Sequence, residues 1–391
     1  MNNSLLKIIW QRHKLILLVA VAVIIGSYIQ STVSQYNSWK DQDDYYHSKV
    51  FKENFYEEMK ENKKAGIDGV MSSITDEGEE QFTNNFKEYQ EQSIENNKVF
   101  SQDYYGINYY GSNFFTLVSL LTIFLGLAVF LYDNNANFNQ ALFSSRFTRK
   151  QIFNSKLGMF SLAFFTSHII GTIIYLLGIF KSIPKENLAV SVGELIPSVV
   201  ACLLLGACFF YVSVLAGIIM GQWLFAAPTV MAFFLSIDYF KSSIVDWMII
   251  FNGEYDDYTN GTGIDYTRYS LDNWVSDYSN NSVPISQWIS MVIIIVGCIG
   301  VSYWLFQQLS TDNAHQYLAF DFLKKPVLIT AMIYIFFSVF SVDLYGGIIY
   351  EKMSTLVIMI AMMLVSMILI YVVFHLLIYR ELPFKMKQSR S

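Results

Sequence analysis

This sequence is poor in charge. Only 15% of its 391 residues are Asp, Glu, Lys or Arg, where a water-soluble domain carries roughly a quarter. The deficit argues against an ordinary soluble enzyme of this length. Cysteine is rarer still. Cys202, Cys208 and Cys298 are the only three, all inside apolar blocks, with no C-x-x-C pair and no Cys/His ligand spacing. They read as small apolar packing residues, so neither a disulfide framework nor a metal site is expected. Nucleotide and hydrolase signatures are also missing. No G-x-x-x-x-G-K-[ST] loop occurs, so the chain cannot cradle ATP phosphates in that way. There is no G-x-S-x-G, no H-E-x-x-H and no Gly-rich dinucleotide loop. The apolar blocks lack the clustered Asp, Glu and His of a membrane-embedded enzyme, so the chain reads as non-catalytic.

What is abundant is apolar and aromatic. Hydrophobic residues make up 53% of the chain, with 32 Phe, 26 Tyr and a mean hydropathy of +0.36. A helix needs about 20 mostly apolar residues to span a bilayer. Eight blocks qualify: 15–30, 113–132, 157–180, 195–219, 222–238, 287–307, 327–345 and 354–378. Pro228 interrupts the fifth block. Segment 239–251 is apolar but carries Lys241 and Asp246, and reads as a re-entrant or interfacial helix. Residues 15–30 follow Lys7, Arg12 and Lys14 as a signal peptide would, but Gln30-Ser31-Thr32 is a poor cleavage site, so an uncleaved first span is expected. The fold class is an all-α integral membrane protein, a polytopic helical bundle of about eight transmembrane helices.

Basic residues in short loops mark the inner side of a membrane protein. Lys7, Arg12 and Lys14, then Arg146, Arg149, Lys150 and Lys156, then Lys324 and Lys325, and last Arg380, Lys385, Lys387 and Arg390 fall on one side of the eight-span scheme. Both termini are therefore expected on the inner, cytoplasmic side, with the chain crossing its membrane several times. Residues 1–30 make the cytoplasmic start and first span. Residues 31–112 form an extracytoplasmic segment with 16 Asp and Glu against 8 Lys. There Phe51, Phe55 and Met59 share one helical face, and Phe82, Phe86 and Tyr89 another, with Gly66 and Gly69 between them. A small helical domain is expected. Residues 113–308 hold spans 2 to 6, with an outer re-entrant and loop region at 239–286. Residues 309–391 hold a linker, two more spans and a basic cytoplasmic tail.

Few ionisable residues fall in the blocks. His168 and His375 lie in the third and eighth, where such a group marks either a functional polar site or a neutral His bonded to a neighbouring helix. Glu194, Asp238 and Asp343 fall at span ends on the outer side, as solvated ends or as acidic groups at the mouth of a substrate path.

The stretch from Asp133 to Lys156 is the most informative. Phe138, Ala141, Leu142 and Ser145 repeat at i, i+3, i+4 and i+7, while Asn134, Asn135, Asn137, Asn139 and Gln140 keep the other faces polar. This is the pattern of a short amphipathic helix over about 134–147. Thr148 and Gln151 then match a capping box, with Phe147 and Ile152 as its hydrophobic staple. The third span is thus predicted to start near Arg149 and to run to Phe180, about 48 Å at 1.5 Å per residue, against a hydrocarbon core of about 30 Å. Its first turns project past the membrane. The cations Arg146, Arg149 and Lys150 oppose the helix dipole there.

ALFSSRFTRKQIFNSKL (141–157) resembles the segment that leads into the third span of the permease subunit of type-2 ATP-binding cassette (ABC) transporters, through Leu142, Ser145, Thr148, Arg149, Lys150, Ile152 and Lys156. Phe147 stands where Pro or Ile is commoner. DNAHQYLAFDFLKKP (312–326) resembles the linker of eight-span permeases from Gram-positive bacteria, through Ala314, Ala319, Phe320, Leu323, Lys325 and Pro326, with His315 in place of a glycine. The resemblance implies a separately encoded pair of cytoplasmic ATPase chains and a second permease copy or paralogue, within membrane lipid. It implies no cofactor in this chain, since ATP and magnesium sit on the ATPase, and no nucleic-acid partner. It makes 134–147 a coupling helix, with Phe138, Leu142 and Phe143 in a groove of the ATPase and Arg146, Arg149 and Lys150 on its surface or on anionic lipid. Export of a peptide, lipid or drug, with antimicrobial-peptide resistance as one outcome, is the function so implied. The other reading is a membrane sensor or immunity protein whose acidic outer domain holds a cationic peptide.

Overall fold

The computed structural model describes residues 3–74, 80–100, 102–103, 106–107, 112–136, 138–252, 285–310, 316–340 and 353–381. Twelve α-helices are described: α1 (Asn3–Tyr46), α2 (Lys49–Lys64), α3 (Phe86–Asn96), α4 (Ser112–Ala128), α5 (Leu131–Asn135), α6 (Phe138–Phe143), α7 (Arg149–Ser182), α8 (Val192–Ile219), α9 (Trp223–Asn252), α10 (Ile285–Gln308), α11 (Lys324–Ile335) and α12 (Met353–Tyr379). Among the described residues, six helices are long and apolar enough to cross a membrane: those at Asn3–Tyr46, Arg149–Ser182, Val192–Ile219, Trp288–Gln308, Asp321–Val339 and Val357–Tyr379. The chain is a multi-pass, all-α membrane protein. Two shorter apolar helical stretches, Leu117–Ala128 and Trp223–Ile237, accompany them.

Several boundaries differ from those expected. The first span does not stop near residue 30. α1 has 44 residues, about 66 Å, because nothing between Ser31 and Tyr46 breaks a helix. The second apolar block ends at Ala128, and the chain turns before α5. The amphipathic segment is two short helices, α5 and α6, rather than one. The expected break at 238–239 is absent. α9 runs unbroken for 30 residues through Pro228, since no Gly or Pro lies near Asp238 to stop it. After α11, Phe336–Phe340 form a π-helical turn.

The domain between α1 and α4 is not purely helical. α2 and α3 flank an antiparallel ribbon, β1 (Val70–Ile74) with β2 (Glu80–Thr83). Phe82 lies exposed on β2, off the α3 face that the spacing predicts. The reason is Asn85, whose side chain accepts from Lys87 N and starts α3 there. Gly66 and Gly69 take positive φ, 82° and 109°, between α2 and the ribbon. Phe51 and Phe55 are buried and pack on α3, with Phe51 stacked on Tyr89 at 5.4 Å and Phe55 against Phe86 at 5.6 Å. Val99 and Phe100 follow, then a small second ribbon of β3 (Gln102–Asp103) and β4 (Gly106–Ile107).

Close helix contact rests on small residues, as expected where lipid removes the hydrophobic drive between helices. α1 and α7 run side by side and in the same direction. Gly171 of α7 faces the Tyr28 ring and Gly178 faces Thr32. α4 crosses α8 where Gly126 meets the Phe210 backbone, and Gly217 meets Leu127. The main apolar core joins α1, α4, α6, α7, α8 and α10. A second cluster joins Leu127, Met220, Ala226, Leu318, Leu328 and Ile378, so the α8–α9 turn, the 316–320 linker and the end of α12 share one end of the bundle. That end also holds the N-terminus and the starts of α7 and α11. We call it the basic end, and the end with α2 and α3 the far end.

Candidate functional site

The basic end contains a charge that a membrane protein rarely buries. Lys156, on the second turn of α7, has no exposed surface. A buried ammonium is tolerated only when paired and hydrogen-bonded. Its Nζ lies 2.5 Å from Asp133 Oδ2 and donates to Asn139 Oδ1 at 2.5 Å. Asn139 in turn donates to Asn134 Oδ1. Asp133 is fully buried too, and accepts from His13 Nε2 at 2.9 Å, while Arg12 Nε lies 3.7 Å from its other oxygen. Rings close the site. Arg12 sits over Tyr132 at 5.0 Å and Phe138 at 5.4 Å, Lys156 near Phe130 and Phe138, and His13 edge-on to Phe160 at 5.3 Å.

Four elements therefore meet in one polar knot: α1 through Arg12 and His13, α5 through Asp133 and Asn134, α6 through Asn139 and α7 through Lys156. Asp133 lies past the end of α4, outside the membrane-spanning segments. Burial alone would raise its pKa, but the His13 hydrogen bond and the Lys156 charge outweigh that and hold the carboxyl below its ordinary value. It is an anion at neutral pH.

The local sequence explains how α5 and α6 dock. Thr148 caps α7: its Oγ1 accepts from Gln151 N at 3.3 Å, and Gln151 Oε1 accepts from Thr148 N at 3.1 Å. Phe147 and Ile152 are buried in the same core. The capping box fixes where α7 starts, and so where Lys156 emerges. Leu142 is buried and Phe143 half-buried, with Phe143 edge-on to Phe306 at 5.6 Å. Arg149 lies over the Phe143 ring at 4.7 Å and donates from Nη1 to the Gln307 carbonyl at 2.6 Å. A cation that opposes its own helix dipole thus meets the negative C-terminus of α10.

The residues singled out from sequence fall in different places. Phe138, Leu142 and Phe143 turn toward the bundle, and Phe138 covers the ion knot. The outward face of this segment is Gln140, Ala141, Ser144, Arg146, Thr148 and Lys150. His168 is buried between three helices, with Nδ1 3.0 Å from Tyr28 Oη and Nε2 3.3 Å from Thr122 Oγ1. His375 is half-buried near the end of α12, with Nδ1 at 2.9 Å from the Glu381 carbonyl. Glu194 is exposed and accepts from Ser191 N at 2.6 Å, capping α8. The side chain of Asp238 and all of Asp343 lie outside the described residues. Sequence reasoning missed Arg12, His13, Asp133 and Asn139 as partners. Lys156 counted as a topology signal and as a position of the permease-like pattern, although its place seven residues into α7 was legible from the capping box.

Among the described residues, no three His, Cys, Asp or Glu gather as a metal ion would require. No family model, curated protein or solved structure matches the chain.

Proposed function

We propose that this chain is the transmembrane subunit of a bacterial ABC transporter and that the α5–α6 segment is where a separate ATPase acts on it. The observation that carries the reading is the fully buried Lys156–Asp133 pair, which fastens α5 and α6 to the base of α7 and to α1. A segment that merely anchors topology needs no such bond, because exposed cations suffice. A segment that receives a push has to be fixed to the helices that it moves. The match of 141–157 to the type-2 permease pattern supports the same reading. Under it, α4 and α9 are also spans, which makes eight, and both termini are cytoplasmic.

The contact differs from the one expected of the sequence pattern. Phe138, Leu142 and Phe143 face inward, so the ATPase meets the polar and basic face of Ser144, Arg146 and Lys150. ATP-driven closure of the ATPase pair would move this face, and the Lys156 bond would pass the motion to α7, a two-state change of access. The substrate class, peptide, lipid or drug, rests on resemblance alone. The test is to express the full chain with its chromosomal neighbours and measure ATP turnover in the purified assembly. An ATPase that co-purifies, with turnover lost on Arg146→Glu/Lys150→Glu, is expected. Absence of any ATP-hydrolysing chain from the assembly would overturn the reading. The acidic far-end domain keeps the sensor reading open to the same experiment, since peptide capture without ATP turnover is its signature.

A further inference from the structure

We infer that α1 and α7 act as one strut, which ties the position of the far-end domain to the ion knot at the basic end. The strut is fastened at three levels. At the basic end, His13 of α1 and Lys156 of α7 share the Asp133 carboxylate. Midway, Tyr28 of α1 bonds His168 of α7, and Gly171 lets the Tyr28 ring lie against the α7 backbone. Higher up, Thr32 sits against Gly178. Neither helix contains proline, the commonest cause of a kink, whereas α8 and α9 each contain one.

The far-end domain is clamped to both members of the strut. α1 enters it directly, where Tyr45 and Tyr46 pack on Phe51 and Gln90 donates to the Tyr46 carbonyl at 2.7 Å. From the other side, Phe100 stacks on Phe180 and lies edge-on to Tyr175 of α7. Val99 pairs with the chain just after α7, through Val99 N to the Asn187 carbonyl and Ala189 N to the Val99 carbonyl, both 3.0 Å. A domain held at one point can swing freely. Held on both helices, it moves only if they move. A ligand on that domain and a partner at α5–α6 then bias one shared equilibrium, and each changes the affinity of the other by the same factor. The transporter reading enters only in saying what drives the basic end.

Hydrogen exchange on the full chain in nanodiscs tests the link and needs no partner, so its failure is distinct from the absence of an ATPase. Asp133→Asn is isosteric and loosens the basic end. It is expected to speed exchange at 97–100 and 187–190, as well as at 131–147, by about fivefold or more. In the opposite direction, Phe100→Ala is expected to speed exchange at 131–147. Segment 357–370 of α12, which packs on α11 and has no residue in the core shared by α1 and α7, is expected to hold its rate in both variants. Changes confined to the mutated end would overturn the inference. So would equal acceleration of 357–370, which reports general loosening.

Discussion

Lys156 and Asp133 are both fully buried and 2.5 Å apart, so each charge is tolerated only with the other in place. Removing one partner of a buried pair leaves the other charge unpaired, at a cost of about 3–5 kcal/mol. Lys156→Met is therefore expected to lower the melting temperature sharply, as read by thermal unfolding in detergent. Replacing both, as Asp133→Leu/Lys156→Met, is expected to recover part of the loss, because the two fully buried charges leave together, while Arg12 is partly exposed to water and His13 loses its acceptor. Equal stability of Lys156→Met and the double variant would contradict the pairing. The pH dependence has a definite sign. The folded carboxyl of Asp133 titrates below its ordinary value of about 4, so its contribution is full above that value and is lost as pH falls through the lowered folded value. Asp133→Asn is expected to flatten the loss of melting temperature between pH 5 and 3. The Tyr28–His168–Thr122 set brings each ring nitrogen of His168 within hydrogen-bond distance of a hydroxyl on another helix, and so joins three helices.

At the scale of elements, the contact between α4 and α8 is set by an absent side chain. A methyl at Gly126 would strike the Phe210 carbonyl oxygen, a backbone atom that cannot turn aside, whereas one at Gly158 on α7 meets nothing within 4 Å. Gly126→Ala is expected to destabilise the bundle, and Gly158→Ala to be neutral or stabilising by about 0.5–1 kcal/mol through helix propensity. Thermal unfolding of the two variants side by side checks this, and equal behaviour would contradict the crossing. The apolar blocks, the capping box at Thr148 and the start of α7 were all legible in the sequence, because each depends on residues within a turn or two. The facing of α5 and α6 was not. A 3.6-residue stripe says which residues share a face but not what that face meets, and the apolar stripe of Phe138 and Leu142 serves the bundle. The ion knot escaped for a related reason. His13, Asp133 and Lys156 are up to 143 positions apart, and each alone looks like an ordinary polar residue near a span end.

For the whole molecule, the six long apolar helices define a membrane protein, and the buried knot ties α5 and α6 to α1 and α7 at its basic end. The transporter account gives that tie a use, since force delivered to α5–α6 would reach α7 and α1 through it. It also changes which substitutions are informative. Aspartate at Phe138 or Leu142 would disturb folding, because both side chains pack inward, so docking has to be probed from exposed positions. The most direct measurement is site-specific photo-crosslinking in the native membrane, with the reactive residue at Ser144 and, as a control, at Leu177, which is exposed on the far half of α7. The account predicts a crosslink from Ser144 to an ATP-hydrolysing chain and none from Leu177. No such crosslink at Ser144, or an equal one at Leu177, would contradict it.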